Sequence, residues 1–131
     1  MIEWILPLEI QSPNVREHWS KGFARNKRNK ERIAKAWALE PHKPSSPCTI
    51  SIQRLYNPSK CEKRMDDDNM VFAMKGVRDC LADLIIPGHP PGQADNLKLG
   101  ITFQYEQLTA TRKGIRIVIM EQEEINESIL G

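Results

Sequence analysis

The sequence predicts a single α+β domain, with helices packed against one small mixed β-sheet and the element order β-α-β-α-β-β. Three observations predict it. Residues 97–105 alternate apolar and polar side chains, as a half-buried strand does. Residues 70–84 instead repeat apolar side chains every three or four positions, as a helix with one buried face does. Finally, a chain of 131 residues is long enough to bury one core without a disulfide or a metal.

The chain opens with a predicted strand over residues 2–10, which are rich in Ile, Leu and Trp. A helix is predicted to follow over residues 13–39. Ser12 is suited to the N-cap position of that helix, and Pro13 to its first turn, where a missing N–H costs nothing. The next segment, residues 41–47, is rich in Pro and Ser and is predicted to be a loop.

The first helix has an interrupted apolar stripe. Its first part repeats at four-residue spacing through Val15, Trp19 and Phe23. The stripe lapses beneath basic residues and resumes over residues 33–38, which leaves two alternatives open. The segment is one long helix, or two helices broken near Gly22 or within residues 26–29. Core packing is expected for each of the three tryptophans.

The remaining elements complete the domain. In chain order they are a strand over residues 49–56, a helix with its buried stripe at Met70, Met74, Val77, Leu81 and Leu84, a loop over residues 87–94, and strands over residues 97–105 and 115–120. Residues 1–120 therefore form the predicted domain. The acidic segment 121–131 is predicted to be a weakly ordered tail.

Composition excludes several classes of protein. No apolar run approaches the roughly 20 residues that span a bilayer, and the start of the chain lacks the pattern of a secretory signal. The three cysteines form no CxxC pair and the three histidines no HxxxH pair, so neither a disulfide framework nor a zinc site is indicated. A cytoplasmic protein without a membrane partner is expected.

Charge is divided unevenly along the chain. Residues 1–64 carry a balance of +7, whereas residues 65–131 carry −5, although the whole chain is only +2. The basic residues of the first half form either a solvated helix face or a surface for phosphates. The residues predicted to bind DNA are Arg25, Lys27, Arg28, Lys30, Arg32, Lys60, Lys63 and Arg64.

Three consecutive aspartates, Asp66 to Asp68, precede the second helix. One explanation is capping, with Asp68 at the N-cap, which is worth about 1 kcal/mol. The other is a metal site, because Asp68, Lys75 and Asp79 fall within roughly 40° of one another opposite the apolar stripe. Carboxylates bind Mg²⁺, and a nearby lysine stabilises negative charge on a phosphate. Lys75 and Asp79 are alternatively a surface ion pair.

These residues resemble the signature of the RusA family of Holliday junction resolvases, phage and prophage members included. In that family an Asp-x-Asp-Asn motif opens a helix that bears a lysine and, four residues later, an aspartate. Here Asp66 to Asn69, followed by Lys75 and Asp79, are similar. The resemblance covers most of residues 4–120. Compact members place the lysine one turn after the asparagine, where this chain has Phe72.

The resemblance implies a Mg²⁺-dependent endonuclease, with Mn²⁺ as the alternative metal, that acts as a homodimer. Such enzymes resolve four-way DNA junctions by paired nicks in recombination and repair, and take no small-molecule substrate. Carried over by position, the metal ligands are Asp66, Asp68 and the distal Asp95, and Lys75 completes the catalytic set. Asn69 and Asp79 match supporting positions.

Two other hypotheses remain open. The displaced lysine and the lone distal aspartate are also compatible with a non-catalytic DNA-binding or assembly factor that retains the fold without a complete active site. A metal nuclease that acts on other branched or flapped DNA is the third hypothesis.

Overall fold

Among the residues that the structure describes, four strands form one mixed sheet, accompanied by three helices. The computed structural model describes residues 1–12, 16–88 and 100–122. In chain order the elements are β1 (Ile2–Leu6), α1 (Trp19–Leu39), β2 (Cys48–Tyr56), a 3₁₀ turn (Pro58–Lys60), α2 (Asp67–Ala73), α3 (Lys75–Ile85), β3 (Ile101–Thr109) and β4 (Gly114–Glu121). This arrangement confirms the predicted α+β class. None of the helices within the described ranges has the length and apolar character to cross a membrane.

The strand order is β1-β4-β2-β3, with β2 and β3 parallel and the other two pairs antiparallel. A parallel pair needs a crossover connection, and α2 and α3 lie in it. β3 and β4 flank β2, so residues 110–113 connect them past the end of β2. There the Asn57 side chain donates to the carbonyl of Thr111 at 2.9 Å. The acidic residues at the start of α2 therefore follow the segment that leaves the end of β2.

The core consists of the alternating isoleucines of the central strands and one face of the helices. Fully buried side chains include Ile50, Ile52, Ile117 and Ile119 from the sheet, Ile33 from α1 and Leu81 from α3. Met70, Met74 and Val77 are also buried, and Leu84 packs against the cluster. The predicted stripe of the second helix is confirmed, because burial selects positions on one face.

The end of the first strand and the start of the first helix differ from the prediction. β1 ends at Leu6, not at residue 10. Pro7 follows it and has no N–H to donate to a neighbouring strand. α1 begins at Trp19, where the His18 side chain accepts from the N–H of Ser20 at 3.2 Å. The predicted cap at Ser12 is therefore wrong, and residues 13–15 lie outside the described part.

Within its bounds, α1 is a single unbroken helix, which decides between the two alternatives. Trp19 is 75% exposed, so the expectation that it packs in the core is wrong, and Phe23, on the same apolar stripe, is 68% exposed. They lie in the first two turns of α1, ahead of Asn29 and Ile33, the two residues of this helix that are buried. Trp4 is buried, and Trp37 packs partly against the core.

Other boundaries shift because of strand pairing. β3 continues to Thr109 since it pairs with β2 along nine residues, and predicted strand positions 97–99 lie outside the described ranges. Glu121 pairs with Cys48 in the sheet and its carboxylate contacts His42, so it belongs to β4 and not to a tail.

The second predicted helix is divided at Met74 into α2 and α3. Residues 123–131 are not among those described.

Candidate functional site

The acidic motif, residues 66–69, lies at the start of α2. Asp66 is the N-cap residue, with extended backbone (φ −61°, ψ 148°), and its side chain makes no capping hydrogen bond. Asp67 and Asp68 lie in the first turn, where the helix dipole favours negative charge. The expectation that Asp68 is the N-cap is therefore wrong. Capping also does not explain the motif, since the carboxylate at the cap position bonds to no amide.

The three aspartates differ in their partners. Asp67 accepts a hydrogen bond from Arg64 at 2.7 Å, which neutralises its charge. Asp66 and Asp68 are exposed, and within residues 1–12, 16–88 and 100–122 their carboxylates form no hydrogen bond or ion pair. Asn69 is half-buried on the same turn. Two carboxylates without a described hydrogen-bond or ion-pair partner thus lie two residues apart at the helix start.

A side-chain amide from the sheet holds the backbone immediately before the motif. The Met65 N–H donates to Gln107 Oε1 at 2.9 Å, and Gln107 Nε2 donates to the Met65 carbonyl at 2.7 Å. We call this pair of bonds the Gln107 clamp. Arg54 donates to the same Gln107 oxygen at 3.1 Å and to the carbonyl of Lys63 at 2.8 Å. Burial lowers the pKa of Arg54 from its usual value.

Sequence reasoning missed the Gln107 clamp, although one signal was present. In β3 the half-buried positions alternate through Phe103 and Tyr105 and continue to Gln107, while the residues between them are exposed. A polar residue in a series of inward positions needs a hydrogen-bonding partner. The partner is more than 40 residues away in sequence, so spacing alone does not identify it.

Lys75 and Asp79 line one cleft of about 420 Å³, together with Phe72 and residues from α1 such as Asn26. Both are on α3, beyond the break at Met74, and Asp68 does not line this cleft. Asp79 accepts from the neighbouring Arg78 at 3.0 Å, whereas no described residue pairs with the ammonium group of Lys75. The alternative of a Lys75–Asp79 ion pair is therefore wrong.

The predicted DNA-binding residues divide into two groups. Three on α1 are engaged within the protein: Arg25 with Glu17, and Arg28 and Arg32 with Glu9, at 2.8 and 3.4 Å. Arg28 holds the pKa of the Glu9 carboxyl below its usual value by a hydrogen bond. Arg64 is paired with Asp67. The exposed lysines, for which the described residues provide no ion-pair partner, are Lys27, Lys30, Lys60 and Lys63.

A second cleft, of about 710 Å³, connects the basic residues with the acidic motif. Its basic lining residues are Lys21, Arg25, Arg28, Arg54 and Lys113. Met65, which directly precedes Asp66, also lines it, as do the acidic residues Glu9, Glu17 and Glu62. Lys21 and Lys113 were not among the predicted DNA-binding residues, because the tertiary structure, not a local run of charge, brings them here. The lining of this cleft is net basic and extends to Met65, the residue before the acidic motif.

The described residues bring together only part of the predicted catalytic set. Asp95 lies outside them, so its place relative to Asp66 and Asp68 stays a prediction. Across those same residues, no group of three or more His, Cys, Asp or Glu side chains is arranged to hold a metal ion.

Comparison of the chain with protein-family models, with curated proteins and with solved structures found no match.

Proposed function

We propose that this chain is a metal-dependent, structure-selective DNA endonuclease that resolves four-way junctions by paired nicks. The observation that carries the proposal is the difference among the three aspartates. Arg64 forms an ion pair with Asp67, while Asp66 and Asp68 have no described partner and make no capping hydrogen bond. Holding two unpaired carboxylates close together costs repulsion, and a divalent cation would remove that cost.

The donor set fits Mg²⁺. Mg²⁺ is a hard cation that prefers oxygen ligands, and proteins commonly hold it through one or two carboxylates together with substrate phosphates. Asp66 and Asp68 would supply the two carboxylates, and Asp95 is the expected third ligand. When bound, the ion supplies Lewis-acid polarisation of the scissile phosphate. Mn²⁺ accepts the same oxygen ligands and is the alternative.

The chain's own residues have separate roles in this proposal. Lys75, exposed and unpaired within the described part, would approach the phosphate and stabilise its developing charge. The second cleft, with Lys21 and Lys113, and the exposed Lys60 and Lys63 would bind phosphates of the DNA backbone. A homodimer would present two such sites to a two-fold junction, one for each nick.

The test compares two neighbouring aspartates. Asp68→Asn should reduce nicking of a four-way junction in Mg²⁺ by on the order of a hundredfold or more, because it removes a charged ligand of the ion. Asp67→Asn is the matched control: it makes the same change one residue away and should retain most of the activity. Both variants should bind the junction in EDTA. Loss of binding by Asp68→Asn would mean that the acidic residues are structural.

A non-catalytic DNA-binding factor is the second candidate. It is favoured by the separation of Lys75 and Asp79, in their own cleft, from Asp68. Wild-type protein that shifts a junction but leaves it intact in Mg²⁺ and in Mn²⁺ would support this candidate. A panel of junction, fork, flap and plain duplex distinguishes a resolvase from a nuclease with another branched substrate.

A further inference from the structure

The segment that leads into the acidic motif is held by side chains and not by a strand neighbour. Residues 62–66 belong to neither a helix nor a strand. Their backbone is attached to the sheet by three hydrogen bonds: the two of the Gln107 clamp at Met65, and the one from Arg54 to Lys63. The position of Asp66 relative to the sheet therefore depends on these bonds.

We propose that Gln107 is a positioning residue for the metal-binding carboxylates, an inference that rests on the proposed function. One planar amide accepts from the N–H and donates to the C=O of the same residue, Met65. Two bonds to one residue restrict rotation as well as translation. Asp66 is the next residue, and no described contact of its own carboxylate holds it. Its placement before a cation binds is thus set through the backbone, by the Gln107 clamp at Met65 and by the hydrogen bond from the Met70 N–H to the Asp66 carbonyl at 2.9 Å.

The hydrogen bond from Arg54 determines the orientation of the Gln107 side-chain amide, that is, the positions of its oxygen and nitrogen atoms. A guanidinium can only donate, so the amide atom that faces Arg54 at 3.1 Å must be the oxygen. The amide nitrogen is then directed to the Met65 carbonyl. Arg54 also donates to Lys63, two residues earlier, at 2.8 Å. Arg54 and Gln107 therefore hold the approach to the motif at two points.

The chain offers a matched control on the same strand. Gln104 has the same side chain as Gln107, lies three residues earlier in β3, and is exposed. It forms no hydrogen bond through its side chain within the described residues. Gln107→Leu and Gln104→Leu therefore make the same chemical change with and without loss of the clamp.

The experiment uses the full chain and three measurements. Mn²⁺ binding is measured by electron paramagnetic resonance without DNA, amide hydrogen exchange over residues 65–70 without metal, and junction nicking across a Mg²⁺ titration. Gln107→Leu should weaken Mn²⁺ binding 10- to 100-fold, as loss of a ligand-orienting partner does, and should speed exchange over residues 65–70. Raising Mg²⁺ should restore much of its nicking rate, while junction binding in EDTA stays within twofold of wild type. Gln104→Leu should match wild type throughout.

Each outcome decides a specific point. If the wild type binds Mn²⁺ and Gln107→Leu binds it with equal affinity, Gln107 has no positioning role, and the proposed function is unaffected. A wild type that neither binds Mn²⁺ nor nicks DNA overturns both. If Gln107→Leu loses its cooperative thermal transition, Gln107→Asn replaces it, since an amide one methylene shorter cannot keep both bonds to Met65. Wild-type metal affinity in that variant likewise overturns the positioning role.

Discussion

Replacing Asn29 by alanine should lower the free energy of unfolding by about 1.5–2.5 kcal/mol. Asn29 lies on α1 and is only 6% exposed. Its Oδ1 accepts from the Glu9 N–H at 2.9 Å, and its Nδ2 donates to the Glu9 carbonyl at 2.6 Å. Losing both bonds costs roughly 2–3 kcal/mol, because the two backbone groups are left without their partner. The better helix propensity of alanine returns about 0.6 kcal/mol.

Urea and thermal unfolding measure this change. In a chain of 131 residues the expected loss corresponds to a decrease in Tm of about 5–9 °C. Lys27→Ala is the control, since Lys27 is exposed on the same helix and should change stability by less than about 0.5 kcal/mol. An Asn29→Ala protein as stable as the Lys27→Ala control would refute the reasoning.

Asn29→Asp separates the donor bond from the acceptor bond. A carboxylate still accepts from the Glu9 N–H but cannot donate to the Glu9 carbonyl, whereas a protonated carboxyl can. Burial and this bond both favour the neutral form, so the folded-state pKa of the introduced acid is raised. Its stabilising contribution is present at low pH and is lost as pH rises through that pKa. The deficit relative to wild type should therefore be smaller at pH 4 than at pH 7. An equal deficit at both would contradict the donor role.

Two further predictions concern the core and the cysteines. Ile33→Ala should cost about 2–5 kcal/mol in unfolding free energy, because Ile33 is fully buried. Leu39→Ala, at the exposed end of the same helix, should stay within about 0.5 kcal/mol of wild type, and equal losses would contradict the assigned burial. Burial raises the pKa of the Cys48 and Cys80 thiols to about 11 each, so that roughly 0.1% of either is thiolate at pH 8. Iodoacetamide should therefore modify the exposed Cys61 first, as peptide masses will report; modification of all three at one rate would contradict this.

The Gln107 clamp and the Asn29 bonds follow one design. In each, a side-chain amide binds both the N–H and the C=O of a single residue in a segment that has left the sheet. The segment bound by Asn29 joins β1 to α1, and the segment bound by Gln107 leads into the acidic motif. Such segments have no ladder partner, so their backbone groups need side-chain partners instead.

The sequence by itself determined the α+β class, the order and approximate positions of the strands, and the buried stripe from Met70 to Leu81. These follow from local periodicity, since a residue's burial in a helix or strand depends on the face it occupies. It also identified the acidic motif as unusual. It predicted the burial of Trp19 wrongly, because an apolar spacing specifies a common face without specifying whether any element covers that face.

Only the tertiary structure decided the strand order and the partners of the polar side chains. Arg64 pairs locally with Asp67, three residues away, but the sequence does not show that Asp66 and Asp68 are left without a described partner. Likewise, nothing in the spacing links Gln107 to Met65 or Lys113 to the basic cleft. These contacts join residues distant in sequence, and they form only when the parallel pairing of β2 and β3 brings the approach to the motif beside the end of β3.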